Sequence, residues 1–241
     1  MPSSREAPGA PGSPHEERLA EVGLAASMLA HEVGNLLNSI DIHGQVLRRR
    51  IAALGLEEEL GTGLELMMGE LRRIDGMLLD FRELSRPASL RLVPTELHPL
   101  LEEVLAMLEP AVLGPRVETR RELDDEARLV LADADKLRQV FLNLSKNALE
   151  AMPEGGRITV RARLDPRGVV VEIEDTGVGI PEGVDPFEAF RTTKAEGSGL
   201  GLAVVRRIVG EHQGSVSYRA TPGGGTTFEV VLPRAPAEPG G

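Results

Sequence analysis

Two glycine clusters constrain this chain more than any other feature: Asp175-Thr-Gly-Val-Gly-Ile-Pro181 and Gly197-Ser-Gly-Leu-Gly-Leu-Ala203. The first begins where an alternating β-branched run, Val169 to Glu174, stops. The second gives way to a helical pattern of Leu202, Val205 and Val209. Glycine lets a backbone approach a ligand closely, and a helix opening just after glycines aims unpaired N–H groups at an anion. An acid heading the first cluster offers an acceptor to a base amine. Together they predict a nucleotide pocket lined by Asp175, Gly177, Gly179, Gly197, Ser198, Gly199, Leu200 and Gly201. An aspartate before Thr-Gly is equally at home as a plain turn residue.

Around this pocket the chain reads in order. Residues 1–16 are rich in proline, glycine and serine and predict a disordered tail. From Glu16 to Ala53, apolar residues such as Leu19, Val22, Ala26, Leu29, Val33, Leu36, Leu37 and Ile40 recur at helical spacing. A break at Leu54-Gly55-Leu56 separates this helix from a second, Glu57 to Leu84, whose Leu60, Leu64, Met67, Leu71, Ile74, Leu78 and Phe81 share a face. Gly61, Gly63, Gly69 and Gly76 weaken the second helix by about 1 kcal/mol each relative to alanine, so it needs a partner. Residues 17–86 thus form a helical hairpin that cannot enclose its own stripe, and pairing of two copies into a four-helix bundle is the economical solution. A coiled-coil spacer without chemistry fits the same periodicity.

Prolines at 87 and 94 mark a linker over 87–94. Residues 95–233 then mix helices (97–108 with Thr95 as cap, 133–152, 200–211) with strands (117–122, 128–132, 157–164, 168–174, 215–220, 226–232). That order predicts an α+β two-layer sandwich with one mixed sheet. Residues 234–241 read as a second disordered tail. A net charge of −11 argues against direct binding to nucleic acid, and the absence of cysteine excludes disulfides and thiolate chemistry. No apolar run approaches the roughly 20 residues of a membrane span, and the N-terminus has no apolar signal region. The expectation is a cytoplasmic protein without membrane insertion.

Three further constellations carry chemistry. His31-Glu32-Val-Gly-Asn35 puts an imidazole beside a carboxylate, with an amide one turn on. A carboxylate near a ring nitrogen selects the tautomer and makes the other nitrogen a better nucleophile, and Glu32 could also accept the proton. A lone helical histidine is otherwise an ordinary surface residue. Asn143 and Asn147 share a helical face with Lys146 and Glu150 nearby, and neutral amides suit a Mg2+ ion that already carries phosphate oxygens; solvated asparagines fit too. Between the glycine clusters, Phe187 and Phe190 in a polar loop suggest an anchored lid, with Arg191 and Lys194 placed to reach terminal phosphates.

Taken in order, these motifs resemble those of two-component sensor histidine kinases over about residues 17 to 233. His31-Glu-x-x-Asn35 is similar to the phosphoacceptor box and Asn143 with Asn147 to the N box. Asp175-x-Gly-x-Gly179 and Gly197-x-Gly-Leu-Gly201 are similar to the two glycine boxes, and Phe187 to Phe190 to the F box. Gly223-Gly-Gly-Thr226-Thr-Phe228 is similar to the closing turn. Phe-x-x-Phe-x-Thr-Thr193-Lys most resembles the nitrogen-regulation branch. The resemblance implies ATP and Mg2+ as cofactors, with Asn143 and Asn147 on the metal and Asp175 on the adenine amine. It places Lys146, Phe187, Phe190, Arg191, Thr193, Lys194, Ser198, Leu200 and Thr226 around the nucleotide, and the Gly199 and Gly201 amides on the phosphates. His31 would attack the γ-phosphate while Glu32 polarises its ring. The group would pass to an aspartate of a response regulator, and Asn35 would help dephosphorylate it.

The chain departs from the family at Leu36, where a proline often bends the helix, and at Gly34, commonly basic. No sensor segment precedes the hairpin, so the input is expected through a separate protein, through the short tail or through a part missing from this chain. Gyrase-type and chaperone ATPases share the pocket but activate water with a glutamate four residues before the position of Asn147, where this chain has Asn143. Serine kinases of the anti-sigma type lack the histidine hairpin. An inactive scaffold that binds ATP and docks a regulator would dispense with intact His31, Glu32, Asn147 and Lys194.

Overall fold

The computed structural model describes residues 14–85, 90–108, 117–191 and 199–235. It divides into two units, Met1–Pro87 and Ala88–Gly241. The first is the expected hairpin. Helix α1, Pro14–Leu54, starts at Pro14 rather than after residue 16, and proline suits a first helical position because no N–H partner is required there. The rest of the expected N-terminal tail lies outside the described residues. Helix α1 stops at Gly55, whose φ is +68°. There Gly55 N–H donates to Ala52 O and Leu56 N–H to Ile51 O, each at 3.1 Å, which satisfies two carbonyls of the last turn. A wide turn over Glu57–Gly61 leads into α2, Thr62–Ser85. Ile51, Leu64 and Met68 are buried together between the helices with Leu56 and Leu71 against them. Other apolar residues stay outside: Leu36, Leu66 and Met67 are 65%, 68% and 65% exposed.

The second unit is the α+β sandwich. Its main sheet comprises β2 (Val117–Leu123), β4 (Gly156–Asp165), β5 (Gly168–Asp175), β6 (Ser215–Ala220) and β7 (Thr226–Leu232) in the order β2-β4-β5-β7-β6. Only the β2–β4 pair is parallel, so the sheet is mixed as expected. Alternation puts Ile158, Val160, Val171, Ile173, Phe228 and Val230 on the buried face. Helices α3 (Leu97–Leu108), α4 (Ala134–Glu150) and α5 (Gly201–Glu211) bring Leu101, Leu105, Phe141, Leu144, Val205 and Ile208 to the same aliphatic core.

Two expectations are corrected here. The strand at 129–132, β3, is outside the main sheet and pairs antiparallel with β1, Val93–Glu96, which begins in the last two residues of the expected linker. Thr95 does not cap α3: its hydroxyl donates to Val93 O and Ala132 O, both at 3.0 Å, and Leu97 N–H reaches Arg128 O instead. In addition, Arg234 bridges to Val130 and Ala235 is buried, so the fold continues to residue 235. The remainder of the expected C-terminal tail lies outside the described residues.

The outward face of the sheet is charged. Cross-strand register sets Arg161 beside Glu172 and Glu172 beside Glu229. Glu172 is drawn to Arg163 at 3.4 Å and Arg219 at 3.3 Å, with Arg161 at 3.9 Å, while Glu229 takes Arg167 at 2.8 Å. Because the Glu172 side chain is only 9% exposed, its charge has few waters to fall back on. Glu172→Gln is expected to lower stability by about 2 kcal/mol, read by denaturant melts, with a smaller deficit at 1 M salt because the arginines are partly exposed.

One buried histidine ties the helices together. His212, just after α5, is 1% exposed. Its Nε2 accepts from Asp133 N–H at 3.0 Å, so Nδ1 carries the proton and donates to Ile208 O at 2.8 Å. Asp133 caps α4: Oδ1 accepts from Asp135 and Lys136 N–H, and Oδ2 from Arg91 N–H at 3.1 Å. Burial pushes the Asp133 carboxyl up, but the Arg91, Lys136 and Asp135 amides outweigh it and hold it below the ordinary range. A lowered folded value means that its contribution is complete above the unfolded pKa and is lost as pH falls through the folded one. His212→Phe leaves the Asp133 N–H without an acceptor and is expected to cost about 2 kcal/mol, measured as a lowered midpoint in thermal unfolding.

Candidate nucleotide site

The site forms where α4, the turn after β5, the start of α5 and the start of β7 meet. Helix α4 forms because Leu137, Phe141, Leu144 and Ala148 repeat at three and four and bury one face. This turns Asn143 and Asn147, both half-buried, to another face. Asn143 Nδ2 donates to Gly201 O at 3.3 Å, which joins α4 to the first turn of α5. Leu200, at the N-cap of α5, makes no side-chain capping hydrogen bond.

The turn after β5 docks on the end of α4. Val178 N–H donates to Ala151 O at 3.0 Å, and a Cβ on Gly177 would collide with that same carbonyl. Asp175, 2% exposed, fastens the turn from the other side: Oδ1 accepts from Gly177 N–H at 2.8 Å and from Thr226 N–H, at the start of β7, at 3.2 Å. Gly225 passes so close beneath that a Cβ would strike the Asp175 backbone oxygen. Gly199, with φ +67°, lies against Phe190, whose carbonyl carbon would be 2.7 Å from an added Cβ. Glycine is therefore required at Gly177 and Gly199 by the fold itself. At these two positions the backbone makes room for another backbone segment. Gly179 faces Gly225 O across 3.3 Å from a notional Cβ.

The residues in the connection from β5 to α5 divide in two. Phe187 is 4% exposed, its ring edge-on to Tyr218 and Phe228 with centroids 6.1 Å away in each case. Its ring packs in the core and anchors the loop, as the anchored-lid expectation requires. Phe190 is 70% exposed and has φ +65°. Arg191 pairs with Glu188 at 2.6 Å, and Lys146 is exposed on α4. Thr193, Lys194, Gly197 and Ser198 lie outside the described residues. In the other unit, Glu32 and Asn35 are exposed on α1, which also carries His31; the His31 side chain is outside the described residues.

The donor set suits a nucleotide with a divalent ion. Two neutral carboxamides supply no negative charge, so an ion held by Asn143 and Asn147 must share phosphate oxygens. The N-terminus of α5 has the backbone donors that phosphates would need, and the buried Asp175 has the acceptor that a base amine would need. Motif order pointed to all three. Ala151 O, Gly225 as a floor under Asp175, and the Tyr218 and Arg206 contacts to the loop had no local signal, because each is a long-range contact.

Comparison with known proteins agrees with this geometry. A family described as histidine kinase-, DNA gyrase B-, and HSP90-like ATPase matches residues 132–236. The signal transduction histidine-protein kinase AtoS of Escherichia coli (strain K12) is 35% identical over 91% of this chain and 36% of its own length. The chain spans about a third to a half of the curated relatives it matches. Among solved structures, the catalytic domain of the histidine kinase ThkA is 32% identical with a TM-score of 0.56, covering 61% of this chain and 99% of that one. ThkA in complex with the response regulator protein TrrA is 28% identical with a TM-score of 0.67, covering 92% and 64%. Full-length ShkA in complex with AMPPNP is 26% identical with a TM-score of 0.70, covering 88% and 46%. Among the described residues no helix is long and apolar enough to cross a membrane.

Proposed function

Because this chain belongs to the histidine kinases, we propose that it is the catalytic core of one, transferring the γ-phosphoryl group of ATP to His31 and on to an aspartate of a response regulator. The observation that supports this reading is the joining of Asn143 to Gly201, which sets the asparagine helix against the second glycine cluster, beside the bracing of the first cluster by Asp175 through Gly177 and Thr226. Asp175 accepts from the adenine amine, and the α5 amides at Gly201 meet the phosphates. Asn143 and Asn147 hold Mg2+, which offsets phosphate charge when bound. One ring nitrogen of His31 bonds to the γ-phosphorus as the bond to the ADP oxygen breaks. Glu32 holds the proton on the other nitrogen. Positioning and charge neutralisation supply most of the catalysis in such a transfer.

The hairpin pairs with a second copy. Leu36, Leu66 and Met67 lie exposed in one chain, and a bundle of four helices would cover apolar surface of this kind. The exposed amide of Asn35, one turn after His31, places water for dephosphorylating the regulator, so the chain works in both directions. ATP and the regulator meet it in the cytoplasm. The test is incubation of the purified chain with γ-labelled ATP and Mg2+. Acid-labile, base-stable label on the protein supports the reading, and nucleotide binding with no label at any time overturns it in favour of a scaffold.

A further inference from the structure

The connection from β5 to α5 passes through a backbone conformation that must be held from outside. Phe190 has φ +65° and its N–H donates to Gly199 O at 2.9 Å. An L-residue stays in that region only when its surroundings over-determine it, and the exposed Phe190 ring does not do so. The hold lies upstream. The Arg206 guanidinium sits 4.6 Å from the centre of the Phe187 ring. Its Nη2 also lies 3.1 Å from both carboxylate oxygens of Asp185. Asp185 Oδ1 in turn accepts from Phe187 N–H at 3.0 Å. From β6, Tyr218 OH donates to Val184 O at 2.7 Å. Arg206 is on α5, one and a half turns past Gly201, so one helix carries both the amide end of the site and the cation that grips the loop.

We propose that Arg206 is a positioning residue for nucleotide use, tying Asp185 and Phe187 at the root of the loop to the helix that receives the phosphates, with Tyr218 as second tether. This rests on the kinase reading above. An exposed ion pair alone contributes little. A cation shared between an aromatic face and a carboxylate that itself braces the backbone fixes an angle as well as a distance. The Phe187 amide, followed by the Arg206 guanidinium, holds the Asp185 carboxyl below its ordinary range, so the pair is charged throughout the neutral range.

The experiment compares the intact chain with Arg206→Met, Arg206→Lys and the double variant Arg206→Met with Asp185→Asn, using labelled ATP and a fluorescent ATP analogue. Arg206→Met should raise the KM for ATP about fivefold and leave the limiting rate of autophosphorylation within about twofold. Arg206→Lys, which keeps the cation over the ring, should restore KM to within about twofold of wild type, and the double variant should be no worse than Arg206→Met. An unchanged KM in Arg206→Met, or equal losses in KM, rate and thermal midpoint without rescue by lysine, overturns the positioning role. Failure of the unmutated chain to bind the analogue or take label overturns the kinase reading itself, and that outcome is distinct because it precedes any substitution.

Discussion

Replacing His31 with glutamine is expected to abolish acid-labile, base-stable phosphorylation while leaving ATP binding within about twofold of wild type. Glutamine preserves polarity and approximate length, but its amide nitrogen has no lone pair free to attack phosphorus. The binding half of the prediction follows from the position of the nucleotide site, all of whose described residues belong to the second unit. Glu32→Gln keeps the nucleophile and removes the charge that supports it, so it should slow labelling by about 100-fold rather than abolish it. The chain offers an internal control in His43, also on α1, whose Nδ1 lies 2.8 Å from Ser39 O in its own helix. If label survived in His31→Gln and vanished in His43→Gln, the assignment of the acceptor would be wrong.

Asp175→Asn is expected to weaken ATP binding about 100-fold while the apo protein unfolds within a few degrees of wild type. The asymmetry comes from what Asp175 does inside the protein. Its Oδ1 accepts both the Gly177 and Thr226 N–H groups, and an asparagine oxygen in the same place accepts both as well. Where the carboxylate would accept from the adenine amine, the variant presents NH2, so donor faces donor once nucleotide binds. The clean reading requires asparagine. Asp175→Ala would leave two backbone N–H groups unpaired and cost about 2–4 kcal/mol of stability, mixing folding with binding. Titration calorimetry with ADP, beside thermal melts with and without ADP, separates the two. Wild-type affinity in Asp175→Asn would reduce the residue to a brace for the turn.

These two predictions draw on different sources of information. The role proposed for His31 rests on local order: a histidine, an adjacent acid and an amide one turn later lie within five residues, and helical periodicity sets their relative facing. The same holds for Asn143 and Asn147, for the strands whose alternation reproduces the register, and for the succession of motifs that identifies the family. Such features depend on neighbours in the chain, and repeat periods of 3.6 and 2 make them legible.

Tertiary structure decided which partner each residue meets. Gly177 and Gly199 read locally as openings for a ligand, and packing adds a second demand for glycine there, because one backbone segment presses on Ala151 or Phe190. Phe187 read as an anchor of the loop, and the structure supplies Tyr218 and Phe228 as what it is anchored to. Thr95 resembled a helix cap until β3 supplied Ala132 O as its acceptor. His212 braces the cap of α4 from 79 residues away, a contact with no local signal. The composition and period of a segment set its helix or strand character and which of its faces is apolar. Whether a glycine, phenylalanine or histidine on that face serves ligand or fold depends on atoms far away in sequence, and only packing brings those atoms within hydrogen-bonding or van der Waals distance.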